Sequence, residues 1–543
     1  MNVETLLTDE YIRKYEDVWP NKTILDYLEA AIEKNPDKDA IIDKKSRYTY
    51  KELGEMVERV ALGLLEYGIG KGDVISIQLP NWNEFVILHY AATRIGAVTN
   101  PLIPIYRDRE IGYMVRMAES KMIVVPDTFR GFDYPAMIQR LWPEWENLEH
   151  VFVIGENVPE KMEAFSELMD IPWERINDPS VLEDVELDPN ELTEIIFTSG
   201  TTGDPKGVMH THNTICVSTN YWIDRLRLTD EDVMFMPSTF GHQTGFGYGI
   251  RLPTHYAGTV VYQDIWNPEE FIELIKKEKI TFTASATPFL QDIVEFEGIE
   301  NHDIQSLRAF VSLGAPIPRP LVREAKKKVG FSILSGWGQS ENGLVTLTSL
   351  DDSEDKLINT DGYPFPGMEV KVVAPNGEIC PPDEEGSLLS RGPAQFIGYL
   401  KRMDITRQEH VDGWFITGDR ATMDADGYIR ITGRNKDIII RGGENIPVAS
   451  MENTLYEHED IQVAQLVAMP DKRLQEKAVA IISMKPNRKP LTLKDIQEFL
   501  ESKGVTKQYW PEHLEVVKDF PRTPSGKIQK FKLREMIKEK TNA

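Results

Sequence analysis

Up to about residue 433 the chain keeps switching between two hydrophobic periods, and that alternation constrains its fold more than any other feature. Segments 25–33, 51–67 and 84–95 repeat their apolar residues at helical spacing, whereas Val74-Ile75-Ser76-Ile77 and Met122-Ile123-Val124-Val125 are short, buried-strand runs. The first period belongs to an amphipathic helix and the second to a strand covered on both faces. Alternating them calls for parallel sheets joined by crossover helices. From about 360 to 431 the texture changes to β-like runs punctuated by glycine, at 370–373, 386–390, 415–417 and 428–431. Such runs suit a barrel or meander better than more doubly wound sheet. A polar break, Gly433-Arg434-Asn435-Lys436-Asp437, then separates the runs 428–431 and 438–440 and marks the expected domain boundary. About a hundred residues of α+β character follow, ending in a basic helix near 530–540. A chain of 543 residues exceeds what one hydrophobic core supports, so two or more domains are expected.

Charge and cysteine usage exclude several classes. The formal net charge of −26 argues against nonspecific nucleic-acid binding and against an anionic membrane surface. It is unevenly placed: from Asp437 onward 18 Lys/Arg face 16 Asp/Glu, a net of +2, while the preceding residues carry 43 against 71, a net of −28. A relatively basic C-terminal segment would suit a lid over polyanions. Only Cys216 and Cys380 are present, without metal-ligand spacing, which fits a reducing cytoplasm. The N-terminus has no apolar segment behind basic residues, and no run approaches a membrane span.

The chemistry concentrates in Thr198-Ser199-Gly200-Thr201-Thr202-Gly203-Asp204-Pro205-Lys206-Gly207-Val208, which follows the apolar end of 192–197. Three glycines allow positive φ and close backbone approach, hydroxyls interleave with exposed N–H groups, and Lys206 supplies a point charge. These are the ingredients of a phosphate cradle. The string is not a P-loop, because Gly200 and Lys206 are out of register and no Ser or Thr follows the lysine. Composition alone leaves a polar turn equally open. As an ordered string, however, it resembles the signature loop of the adenylate-forming superfamily, which includes acyl-CoA synthetases, luciferases and peptide-synthetase adenylation domains.

Six further segments are compared with that family's motifs. Gly336-Trp337-Gly338-Gln339-Ser340-Glu341 has Trp for the usual Tyr and Ser for the usual Thr; the resemblance makes Trp337 an aromatic wall and Glu341 a Mg²⁺ carboxylate. Taken alone, it would be a strand-to-helix turn. In 413–419, Asp419 falls where the family accepts both ribose hydroxyls, and Arg434 stands at a second nucleotide contact, with Ile431 and Lys436 beside it. Ser312-Leu313-Gly314-Ala315-Pro316 resembles the loop that packs on adenine and on the acyl group. Lys527, in Pro521-Arg522-Thr523-Pro524-Ser525-Gly526-Lys527, falls on the catalytic lysine, delivered by domain closure. Gly442, Gly443 and Glu444 fall where CoA ligases line the channel for the pantetheine arm. Finally, Phe240-Gly241-His242-Gln243-Thr244-Gly245-Phe246 lacks the Asp that pairs with an α-ammonium, which disfavours amino acids as substrates. His242 matches a gating position, with Thr244, Phe246, Ala315 and Trp337 around the acyl group. His210 and His212 form no metal pair and read as loop residues.

The resemblance covers roughly residues 25 to 535. It implies a multi-domain α/β fold: a large N-terminal domain (1–435) of two α/β subdomains plus a distorted β-barrel, and a small mobile α+β domain (436–543) hinged near Lys436. The implied activity is an ATP-dependent carboxylate–CoA ligase that passes through acyl-AMP. Thr198 and Lys206 would act with Glu341 and Lys527, with ATP, Mg²⁺ and coenzyme A as the small molecules used. Short- to medium-chain fatty acids and alicyclic acids are the expected substrates. Transfer to a carrier protein, luciferase-type oxidation and a non-catalytic nucleotide-binding homologue are the alternatives. A homodimer is left open.

Overall fold

Thr49 and Glu52 show how local sequence sets the first layer. Thr49 Oγ1 accepts from the Glu52 N–H at 3.2 Å, while Glu52 Oε2 accepts from the Thr49 N–H at 2.8 Å. This reciprocal cap fixes the start of helix Tyr50–Glu66, whose Leu53, Val57, Val60, Ala61 and Leu64 are buried. Each large apolar side chain so buried contributes about 1.5–3 kcal/mol. In this computed structural model the described residues are 3–198, 205–314, 317–437, 439–441, 444–471, 475–505, 507–523 and 526–542.

Two large sheets are built from strands between residues 39 and 399. One runs, edge to edge, Tyr363–Pro364, Gly343–Leu347, Ser332–Gln339, Ala309–Ser312, Phe282–Ser285, Val233–Met236, Thr259–Tyr262, Asp39–Ile42 and Arg47–Thr49. The other runs Gly398–Tyr399, Lys206–Thr211, Leu192–Thr198, Val98–Pro101, Val74–Ile77, Met122–Pro126, His150–Ile154 and Glu163–Ala164. The first sheet is parallel through its middle and antiparallel at both ends, whereas the second is antiparallel only at the Gly398–Tyr399 end and parallel from Leu192–Thr198 to Glu163–Ala164. One core joins them: Ile75 and Ile77 of the second sheet, Phe85 and Leu88 of helix Asn83–Arg94, and Met234 and Val260 of the first. The expected α/β alternation is therefore what the chain folds into, with helices at Ile24–Lys34, Tyr50–Glu66 and Asn83–Arg94.

The glycine-punctuated stretch forms a five-stranded antiparallel sheet, Glu369–Val373, Gly386–Arg391, Trp414–Met423 and His410–Val411, with Ile429–Arg434 also paired to Trp414–Met423. Beyond it a separate sheet collects Glu444–Ile446, Ile439–Arg441, Gln475–Met484 and Ile461–Asp471, with His513–Val516 parallel to Gln475–Met484. That sheet has its own core, including Leu455, Leu466, Ala480, Ile496 and Leu500. The C-terminal helix Lys530–Asn542 packs Leu533 and Ile537 on its other face, against Val467 and Val479.

The chain passes between the last two sheets through a tight 3-10 turn, Asn435–Asp437. It is anchored on both sides. Arg434 donates from Nε to Asp419 Oδ1 at 3.1 Å in the sheet it leaves, and Asp437 Oδ1 accepts from Arg534 Nη1 at 2.6 Å in the helix beyond.

Candidate active site

The hairpin Leu192–Thr198 and Lys206–Thr211 pairs Thr198 directly with Lys206. Ser199, Gly200, Thr201, Thr202 and Gly203, the middle of the expected cradle, lie outside the described residues. Lys206 is fixed at the mouth of that hairpin. Its Nζ donates to Glu409 Oε1 and to the Tyr399 hydroxyl, each at 2.9 Å, and lies 4.1 Å from the Tyr399 ring centre. The Tyr399 oxygen in turn lies 2.6 Å from Glu409 Oε2 and 2.9 Å from Glu341 Oε1. One hydroxyl proton thus faces two carboxylates, and burial beside Glu341 and Glu409 drives the phenol pKa far up. Glu341 is itself buried, which raises its pKa, and the Lys206 charge opposes that rise.

A second cluster forms around Asp419, on strand Trp414–Met423. Its Oδ2 accepts from Trp337 Nε1 at 2.8 Å and from Gln339 Nε2 at 3.0 Å, and its Oδ1 accepts from Arg434 Nε. Gln339 Nε2 also donates to the Thr417 carbonyl at 2.9 Å. Trp337 and Gln339 lie in strand Ser332–Gln339, so their segment is strand rather than the start of a helix. Its glycines have a packing reason. A β-carbon on Gly336 would meet the Thr346 carbonyl oxygen at 2.9 Å, and one on Gly338 the Gly343 carbonyl oxygen at 2.0 Å.

Lys527 arrives from the far end of the chain. A β-carbon on Gly314, whose φ is +77°, would lie 3.2 Å from Lys527 Cε. Burial lowers the ammonium pKa to about 8, Arg434 adds to the fall, and Asp419 and Glu341 oppose it. Neighbouring contacts seat the same unit: Gln291 Nε2 donates to the Gln462 carbonyl at 2.9 Å, and the Arg319 N–H donates to Asn453 Oδ1 at 3.2 Å.

His242 sits beside Lys527. Burial and that cationic neighbour lower its pKa to about 3, so the imidazole is neutral. Its Nδ1 accepts from the Thr244 N–H at 3.2 Å, leaving the proton on Nε2. Residues Thr244–Ile250 form a buried π-helix. Phe246 points into the core, against Phe85 and His89 and under the Arg251 guanidinium at 4.2 Å. Ile431 gives its N–H to Asp361 Oδ2 at 2.8 Å, and Ser340 gives its carbonyl to His210 Nε2 at 2.6 Å. Ala315, Pro316, Gly442 and Gly443 lie outside the described residues; for Lys436 and Glu444 only the backbone is described, in the 3-10 turn and in a strand.

His210 and His212 are not loop residues. His210 is on strand Lys206–Thr211 and His212 opens helix His212–Leu226; both are buried and neutral. Tyr399, Glu409 and Asp361 carry no sequence signal, because only tertiary structure brings them to Lys206, Glu341 and Ile431. Glu194 does carry one: it interrupts the otherwise apolar strand Leu192–Thr198. It forms a fully buried ion pair with Arg251, Oε2 to Nη2 at 2.6 Å.

The chain belongs to the AMP-binding enzyme family: that family's model matches residues 28–400, and its C-terminal domain model matches 450–527. The chain is 36% identical over 527 residues to a medium-chain fatty-acid–CoA ligase of Escherichia coli (strain K12), covering 96% of this chain and 92% of that protein. It is 31% identical over 525 residues to a 2,3-dihydroxybenzoate-AMP ligase of Bacillus subtilis (strain 168), covering 96% and 95%. Among solved structures, the anthranilate CoA ligase AuaEII in complex with anthranoyl-AMP superposes with a TM-score of 0.88 at 24% identity, over 97% and 99% of the chains.

Proposed function

We propose that the protein is a carboxylate–CoA ligase acting on short- to medium-chain fatty or alicyclic acids through an acyl-adenylate. The observation that carries this reading is the seating of Lys527 at Gly314, within the field of Asp419, Arg434 and Glu341. In the first half-reaction the acid's carboxylate attacks the α-phosphorus of ATP, forming the mixed anhydride and releasing pyrophosphate. Thr198 and Lys206 grip the β- and γ-phosphates, Asp419 and Arg434 hold the ribose, and Trp337 and Gly314 flank the base. Lys527 stabilises charge that develops on the α-phosphate and the incoming carboxylate. At about 4 Å and an effective dielectric near 20, such a contact is worth roughly 4 kcal/mol, or about three decades of rate.

Glu341 fits a magnesium ion. Its Oε1 is oriented by Tyr399. Mg²⁺ needs only one or two protein carboxylates beside phosphate and water. When bound it would supply charge neutralisation for the phosphates.

In the second half-reaction the residues beyond 435 swing about Lys436 as a lid, withdrawing Lys527 and presenting Gly442 and Gly443. The CoA thiol then attacks the acyl carbonyl and AMP leaves. One rigid site cannot complement both transition states, which is the physical reason for alternation. The 2,3-dihydroxybenzoate-AMP ligase relative is named for adenylate formation alone, which leaves open a thiol acceptor other than CoA, a carrier protein, as the second reading. The test is ATP–pyrophosphate exchange over a panel of carboxylates, followed by thioester formation with CoA and with a carrier phosphopantetheine. Exchange without CoA thioester would reject the ligase reading.

A further inference from the structure

The backbone at Glu341 is held on both sides. The Ser340 carbonyl lies 2.6 Å from His210 Nε2, and the Glu341 carbonyl accepts from the Phe396 N–H at 2.7 Å. With both carbonyls fixed the main chain there has little freedom, and Tyr399 then sets the far end of the Glu341 side chain. The proton inventory allows His210 one arrangement. A carbonyl can only accept, so Nε2 carries the hydrogen. Burial keeps the ring neutral, which leaves Nδ1 a bare acceptor, and the Thr214 hydroxyl 3.0 Å away is its donor. Thr214 thus fixes the tautomer, and the tautomer aims an N–H at Ser340.

His210 belongs to strand Lys206–Thr211, and side chains alternate along a strand, so positions 206, 208 and 210 share one face. One strand therefore carries both the lysine that shares Tyr399 with Glu341 and the imidazole that holds the peptide leading into Glu341. We propose that His210 is a positioning residue for Glu341: by holding the Ser340 carbonyl it keeps the carboxylate where a magnesium ion on the nucleotide's phosphates needs it. The inference rests on the metal role given to Glu341 above. Metal carboxylates depend on such outer partners, whose loss costs affinity although they touch no ion.

The experiment is ATP binding to the full chain by calorimetry, with Mg²⁺ and with EDTA, and the readout is the factor by which Mg²⁺ tightens binding. Glu341→Gln should cut that factor about tenfold or more. His210→Gln places an amide N–H near the position of Nε2 and should keep the factor within about twofold of the wild type. His210→Asn replaces only the Nδ1 side and leaves the Ser340 carbonyl bare, so the factor should fall about three- to tenfold, the size of one lost hydrogen bond. Both variants lose the ring and its packing. A histidine with a structural role alone would move the factor equally in both or in neither, and either result would overturn the proposal. His210→Leu, which fills the space without either bond, takes the place of His210→Asn if that variant does not fold. If Glu341→Gln leaves the factor intact, the metal reading of Glu341 fails, and this inference falls with it.

Discussion

Gly314 and Lys527, 213 positions apart in sequence, face each other so closely that a β-carbon on the glycine would lie 3.2 Å from Lys527 Cε and 3.7 Å from Nζ. The glycine's φ of +77° makes any side chain strained there, by about 1–2 kcal/mol. Gly314→Ala should therefore lower pyrophosphate exchange about 10-fold or more through strain and displacement of the lysine. Thioester formation from supplied acyl-AMP should fall much less, and the two half-reaction rates measured side by side check this.

Lys527→Ala should lose two to three decades of adenylation, on the order of removing one preorganised donor, while retaining most thioester formation from acyl-AMP. Equal loss in both steps would remove the lysine from the role assigned to it. With its pKa lowered to about 8, the ammonium that adenylation requires is lost as pH rises through that value, so exchange should decline on the alkaline side. Docking of the C-terminal residues runs the other way. Between about 8 and the ordinary lysine value of 10.5 the undocked state holds the proton and the docked state does not, so docking strengthens as pH rises. Lys527→Arg should extend the alkaline limb of any activity it retains.

Tyr399→Phe removes the hydroxyl between Lys206, Glu341 and Glu409 while leaving the ring under Lys206. Exchange should drop about 10-fold as Lys206 and Glu341 lose their shared partner. A small change in thermal unfolding would show that the effect is local.

Arg251 and Glu194 have no exposed side-chain surface. Arg251 Nε also donates to His89 Nε2 at 3.3 Å, and the His89 ring is kept neutral by burial next to that guanidinium. Arg251→Met should destabilise the N-terminal region by about 3–5 kcal/mol, because it leaves a buried carboxylate uncompensated. The double replacement Arg251→Met with Glu194→Leu should recover much of that loss. Urea unfolding of the three proteins measures the difference.

The α/β layers were legible because period carries them: 74–77 and 122–125 are strands as read, and the helices near 25, 51 and 84 begin within one residue of their expected starts. The residues that ordered motifs marked, Lys206, Glu341, Asp419, Arg434 and Lys527, are brought near one another by the fold. What holds those residues was not legible. Tyr399 and Glu409 reach Lys206 across about 200 residues of chain, and neither local spacing nor composition encodes such a contact. The glycines at 336 and 338 invite a ligand-based explanation, yet the adjacent strand fills their space. Phe246 reads as a pocket residue, and its aromatic partners place it in the core.

Arg434 and Asp437 are each moored to a different sheet system, so Asn435 and Lys436 alone connect two anchored ends. The three Cα-to-Cα steps from Arg434 to Asp437 span at most about 11 Å, which leaves the attached body little freedom to translate. In the lid motion proposed above, what remains is rotation about a handful of backbone bonds, as in a gimbal. A side chain carried on such a mount meets its target at a high effective concentration on every swing, without a diffusive search. For Lys527, accuracy of return is therefore built into the shortness of the tether rather than into the size of the surface it lands on.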